Sequence, residues 1–154
     1  MQDRFVQRGG LWVLVQCALM LAVLGLCVLH ESESKNPPLL VAGLFFLTVS
    51  AGCGLAGALA LGRNLSPFPK PMATAKLVRR GIYSILRHPL YTSVLCLAIG
   101  SSLLRQSVPA LVVSLVLALF FDAKARREER WLGQRFPEYA DYAQRVNRFI
   151  PWIY

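Results

Sequence analysis

The chain has 154 residues, of which 55% are hydrophobic and only 16% charged, with a formal net charge of +9. A soluble domain carries about a quarter charged residues, so this composition excludes an ordinary soluble globular protein. In a soluble chain the excess of basic residues would suit nucleic-acid binding. Here they are confined to stretches between long apolar runs, which argues for membrane topology and against a nucleic-acid partner.

Residues 11–29 are apolar apart from Gln16, a run long enough for a membrane-spanning helix. Arg4 and Arg8 precede it, as they would a signal peptide. The run exceeds the roughly 7–15 apolar residues of such a peptide, and no small-x-small site follows at 26–34, so a retained helix is expected. A polar turn over 30–38 leads into a second span at 39–62. Along it Ser50, Gly54, Ala58 and Gly62 recur every four residues, a ridge of small side chains that lets another helix approach closely.

Residues 63–88 are basic, and Pro67, Pro69 and Pro71 forbid a continuous helix there. A helix starting near Thr74 would place Leu77, Val78, Ile82, Ile85 and Leu86 on one side, as in a segment lying along the membrane surface. A third span is expected at 89–104, with Pro89 as its first helical residue. Its length of about 24 Å is short against a hydrocarbon core of about 30 Å.

The fourth span begins near Pro109 and is apolar only to Phe121, so Arg105-Gln106-Ser107 closes a tight hairpin. Such shortness implies tilt, a thinned bilayer or incomplete crossing. No proline or glycine interrupts 122–132, and the last helix is expected to run two to three turns into the cytoplasm. On that extension Asp122, Arg126 and Glu129 share a polar stripe. Glu128 points about 100° away, toward Lys124 and Leu132.

The expected fold is an all-α integral membrane protein of about four transmembrane helices, with a helical C-terminal tail. Residues 1–62 would form an N-terminal two-helix hairpin. Residues 63–154 would form the core: a basic segment, the hairpin 89–121, and the extension and tail 122–154. Only Lys35 and Arg105 among the basic residues fall in the other two loops, so both termini and the 63–88 segment are expected in the cytoplasm. A bacterial inner membrane is the expected location, with its lipids as surroundings. Cys17, Cys27, Cys53 and Cys96 all lie in apolar spans without a C-x-x-C pair or a histidine at ligand spacing, so neither a disulfide nor a metal site is expected.

Two short polar signatures stand out beside the hydrocarbon. Arg87-His88-Pro89-Leu90-Tyr91 sits where the basic segment enters the third span, and Glu128-Glu129 lies on the last helix. Ionisable groups in such places point to function. The plainer readings are interfacial anchors for the first and a solvated helix face for the second. A hydrolase with paired carboxylates is excluded, because adjacent helical residues cannot flank one bond.

Gly81-Ile82-Tyr83, Arg87-His88-Pro89-Leu90-Tyr91, Glu128-Glu129, Phe136-Pro137-Glu138-Tyr139, Tyr142, Arg145-Val146 and Arg148-Phe149-Ile150-Pro151 occur in this order. The set resembles the integral membrane methyltransferases, the isoprenylcysteine carboxyl methyltransferase and phospholipid methyltransferase superfamily, over roughly residues 74–151. The resemblance implies methyl transfer from S-adenosylmethionine to a lipophilic or membrane-permeant acceptor: an isoprenoid carboxylate, a phospholipid amine or a thiol.

It also implies that the cofactor is held at the cytosolic side by Tyr83, His88, Pro89, Tyr91, Glu128, Glu129, Tyr142 and Arg145. Arg87 and Glu129 are the catalytic contributors; Glu129 is chosen over Glu128 for its stripe with Asp122 and Arg126. Two departures stand out. Ser93 replaces a glycine common two residues after the motif tyrosine, and Gly81-Ile82-Tyr83 stands where Gly-Pro-Tyr is common. Gly100 is the expected substitute for the close approach to the cofactor.

The competing reading is a non-catalytic membrane scaffold or assembly factor that keeps the fold, and cofactor binding discriminates the two. A transporter is disfavoured, since no span carries an ionisable residue at its middle.

Overall fold

The computed structural model describes residues 9–30, 32, 36–68, 76–151 and 153. Among the described residues five α-helices follow one another: α1 (Gly10–Leu29), α2 (Pro37–Leu61), α3 (Pro89–Arg105), α4 (Val108–Arg135) and α5 (Tyr139–Arg145). Short 3-10 turns cover Gly62–Asn64 and Gly81–Ser84. The protein is all-α, with a single isolated bridge between Leu86 and Asn147 among the described residues.

Among the described residues three helices are long and apolar enough to cross a membrane: α1, α2 with the turn after it, and α4. The 17-residue α3 is the shorter apolar helix, about 26 Å at the usual rise. Large apolar side chains such as Leu21 and Leu119 stand about 70% exposed on the outside of the bundle, which suits lipid and not water. This is an integral membrane protein.

Proline opens both α2 and α3, at Pro37 and Pro89, where its missing N–H would have had no partner anyway. Ser107 caps α4, its hydroxyl accepting from the Ala110 N–H. Between α3 and α4, Gln106 adopts a left-handed backbone at φ 54°, a conformation that a residue other than glycine needs a reason to hold. Its side-chain amide supplies one, accepting from the Asn36 N–H at 3.0 Å and donating to the Asn36 carbonyl at 3.1 Å. Nearby Arg105 Nε donates to the Cys27 carbonyl and Ser107 Oγ to the Leu26 carbonyl. The two connections at this end of the bundle are therefore locked together.

α2 packs chiefly on α3 and α1 on α4, while α3 and α4 touch along their hairpin. α1 and α2 scarcely meet, so the first two helices are built onto the last two and not onto each other. The core lies between α1, α3 and α4, where Leu117, Phe121 and Ala125 are fully buried with Val23, Cys27 and Ala98.

The ridge on α2 is present with a shifted register. Gly43, Ser50 and Gly57 are its buried residues, spaced by seven, whereas a Cβ on Gly62 would meet nothing within 4 Å. Four-residue steps drift about 40° per step around a helix of 3.6 residues per turn, while seven-residue steps stay on one face. The expected surface helix from Thr74 is also corrected. Residues 76–80 form no helix, and Gly81 turns the chain at φ 62°. Arg4, Arg8, Lys35, Pro69, Lys70, Pro71 and Thr74 lie outside the described residues.

Candidate functional site

The polar C-terminal part of α4 meets the start of α3 and the tail after α5. The tail runs beside the Arg87-His88 segment: the Arg87 N–H donates to the Asn147 carbonyl at 2.9 Å, and the His88 N–H to the Arg148 carbonyl at 3.1 Å. Thr92 Oγ1 donates to the Phe149 carbonyl, and the Tyr142 hydroxyl to the Tyr83 carbonyl at 2.6 Å. These bonds bring residues 83–92 and 142–149 onto one wall, although they are distant in the chain.

Glu129 is the knot of that wall. Arg148 grips both its oxygens, Nε to Oε1 at 3.0 Å and Nη2 to Oε2 at 2.7 Å. His88 Nε2 stands 3.0 Å and Arg87 Nη1 3.1 Å from Oε1. Arg148 Nη1 also reaches Asp122 Oδ1 at 2.9 Å, and Arg126 Nε bonds Asp122 Oδ2 at 2.7 Å. Burial alone would push the Glu129 carboxyl up. The His88 and Arg148 hydrogen bonds, with the Arg87 charge, outweigh burial and draw it down to about 2.

One turn of wall away is an open-mouthed cavity of about 120 Å³, smaller than the roughly 300–1,000 Å³ of a typical enclosed ligand site. Its polar lining includes Glu128, Arg87, His88, Tyr83, Tyr139 and Tyr142, and its apolar lining Leu61, Leu77, Val78, Leu90, Leu132 and Phe136. Tyr91 also lines it and donates its hydroxyl to Glu128. The Tyr91 ring is held in a stack, parallel to His88 at 5.2 Å and near-parallel to Phe121 at 4.7 Å. Two buried polar groups on this lining, Arg87 Nε and the Tyr139 hydroxyl, make no well-formed hydrogen bond among the described residues, although the Arg87 side chain lies against Tyr139. Buried donors left so are costly and ask for a ligand.

Of the expected site residues, Tyr83, Arg87, His88, Tyr91, Glu128 and Tyr142 come together on this cavity. Pro89 is buried at the helix start behind them. Glu129 is not on the lining, because its stripe with Asp122 and Arg126 faces the tail; the stripe of Lys124, Glu128 and Leu132 faces the cavity. Gly100 lies elsewhere, where a Cβ would meet the Gly43 carbonyl at 3.0 Å; it allows α3 to approach α2. Arg145 is exposed on the outer side of α5, beside Arg79 and Asp141.

Ser93, which departs from the motif, turns away from the cavity. Its hydroxyl donates to the Ser50 carbonyl and the Ser50 hydroxyl to its own carbonyl, both at 2.8 Å. Phe136 and Tyr139 stand in a quoted motif without an individual role expected of them, and Lys124 is expected only as a neighbour of Glu128. Asn64 and Ser66, also on the lining, carried no signal in the sequence.

The phospholipid methyltransferase family model matches residues 38–139, two thirds of the chain and nearly the whole of the described site. The chain belongs to the phospholipid methyltransferase family. This methyltransferase is 29% identical over 152 residues to the nickel-cobalt-cadmium resistance protein NccN of Alcaligenes xylosoxydans xylosoxydans, covering 97% of the chain and 68% of that relative. It is 41% identical over 76 residues, 49% of the chain, to the cobalt-zinc-cadmium resistance protein CzcN of Cupriavidus metallidurans. Protein-S-isoprenylcysteine O-methyltransferase B of Arabidopsis thaliana is 36% identical over 80 residues, 51% of the chain. The matches span 35% of CzcN and 41% of the plant enzyme.

Proposed function

We propose that this methyltransferase moves a methyl group from S-adenosylmethionine to a lipophilic or small membrane-permeant acceptor, an isoprenoid carboxylate, a phospholipid amine or a thiol. The observation that carries this reading is the pairing of opposite polar ends in one cavity. Arg87 Nε and the Tyr139 hydroxyl are buried side by side with no well-formed hydrogen bond among the described residues, and Glu128 is an acceptor on the same lining. The methionine part of the cofactor is a zwitterion, with a carboxylate for the first pair and an ammonium for the second. Leu77, Val78, Leu132 and Phe136 offer an apolar slot for the adenine. The residues present fit the group.

When bound, S-adenosylmethionine supplies a methyl group carried on a sulfonium. The protein's part is to hold and orient. Glu129 fixes His88, Arg87 and Arg148, so the cavity wall keeps its shape without a ligand. Tyr91, clamped between His88 and Phe121, holds Glu128 toward the cavity. Charge-assisted bonds to two ends of one molecule set its axis, and such positioning is worth a large part of a displacement barrier. Arg87 and Glu129, the expected catalytic pair, take separate parts in this reading: Arg87 binds, and Glu129 positions Arg87 and His88. Leu61 and Leu90 border the cavity where α2 and α3 leave the apolar layer, which suits an acceptor arriving from lipid. The basic residues at that end, including Arg63, Arg79, Arg80 and Arg135, support a cytoplasmic side for it.

The test is calorimetric titration of S-adenosylhomocysteine into detergent-purified protein, with Glu128→Gln alongside. Saturable binding in wild type, weakened at least tenfold in the folded variant, is expected. Absence of binding by folded wild type would overturn the reading and favour the scaffold.

A further inference from the structure

Among the described residues, Lys124 is the one charged side chain that the bundle buries completely. It sits one turn before Glu128 on the cavity-facing stripe of α4. Its ammonium donates to Gln16 Oε1 of α1 at 2.6 Å and to the Pro67 carbonyl at 3.2 Å. The same nitrogen lies 5.1 Å from the centre of the Tyr91 ring, within reach of a cation–π attraction. Pro67 belongs to the connection after α2, whose neighbouring residues Asn64, Ser66 and Phe68 line the cavity.

We propose that Lys124 is a positioning residue that latches the connection after α2 over the cofactor cavity, a role that rests on the methyltransferase reading above. One ammonium ties together α1, this connection and the ring whose hydroxyl bonds Glu128. Residues 65–68 form no helix, so a bond from the bundle sets how closely Ser66 and Phe68 cover the cavity. A methionine would fill the same space without desolvating a charge. The charge is explained by what it holds, namely two oxygen acceptors on separate elements and an aromatic face. Gln16, the polar break in an otherwise apolar α1, is the other half of the arrangement.

The test uses the double variant Gln16→Leu/Lys124→Met. Removing both partners of a buried polar pair together is close to neutral for stability, whereas removing one strands the other, so the double variant separates positioning from folding. Expected are an unfolding midpoint within a few degrees of wild type and at least tenfold faster dissociation of S-adenosylhomocysteine. Amide exchange of Leu65, Ser66 and Phe68 should rise at least tenfold, with Gln106 and Ser107 unchanged. Wild-type exchange at 65–68 in the folded double variant overturns the latch. That arm needs no cofactor, so it decides the latch even if wild type binds none and the functional reading falls. Should the double variant not fold, Lys124→Gln decides by the same exchange measurement: faster exchange at 65–68 supports the latch, and wild-type exchange overturns it.

Discussion

Glu129 gathers nitrogen atoms from His88, Arg87 and Arg148, while its neighbour Glu128 receives Tyr91 and faces the cavity. About 100° of helix rotation separates the two side chains, and that angle divides holding the wall from meeting a ligand. With its carboxyl drawn down to about 2 from an ordinary 4.5, Glu129 binds a proton less readily folded than unfolded. Its contribution to stability is complete above about pH 5 and is lost as pH falls from 4.5 toward 2. Thermal unfolding across pH 7 to 3 should show this loss in wild type and a flatter profile in Glu129→Gln. At pH 7 that variant should be less stable by about 2 kcal/mol, since it leaves the half-buried Arg87 and Arg148 without their carboxylate. An unchanged midpoint would mean that the knot does not hold the wall.

At the scale of elements, the contact between α2 and α3 decides where α3 presents His88 and Tyr91. Gly43 faces Gly100, and Ser50 exchanges hydrogen bonds with Ser93. A Cβ on Gly100 would stand about 3 Å from the Gly43 carbonyl and from Leu47; backbone yields only if the helices part. Gly100→Ala should therefore lower the unfolding midpoint by the equivalent of about 1–3 kcal/mol. Affinity of the remaining folded protein for S-adenosylhomocysteine should be unchanged, and a selective loss of affinity would return Gly100 to the cofactor site. The periodicity of α2 announced a packing face, but its register needed the partner helix. Likewise the apolar pattern of 77–86 resembled a helix, and the left-handed turn at Gly81 with an inward Leu77 and Val78 made it a wall instead.

Across the whole molecule, the tail closes the site by returning to the start of α3. Asn147 and Arg148 bond the backbone of Arg87 and His88, and the Arg148 side chain completes the Glu129 knot. Deleting 139–154 should leave membrane insertion intact, because α1 to α4 keep every apolar run. It should also lower affinity for S-adenosylhomocysteine at least tenfold, with the loss of Tyr139 and the knot together. Membrane fractionation and titration of the truncated chain measure the two separately, and retained affinity would show that the tail is not part of the site.

The sequence by itself determined the helical membrane class, the short α3–α4 hairpin, the extension of α4 and the two polar signatures. Each rests on composition or on local periodicity, which a single helix expresses without a partner. Only the tertiary structure decided that Glu128 and not Glu129 reaches the cavity, that Gly100 and Ser93 serve packing, and that Lys124 is buried. Those outcomes depend on which face of each helix meets which neighbour, through contacts such as Lys124 with Gln16, far apart in the chain and fixed only when the bundle closes.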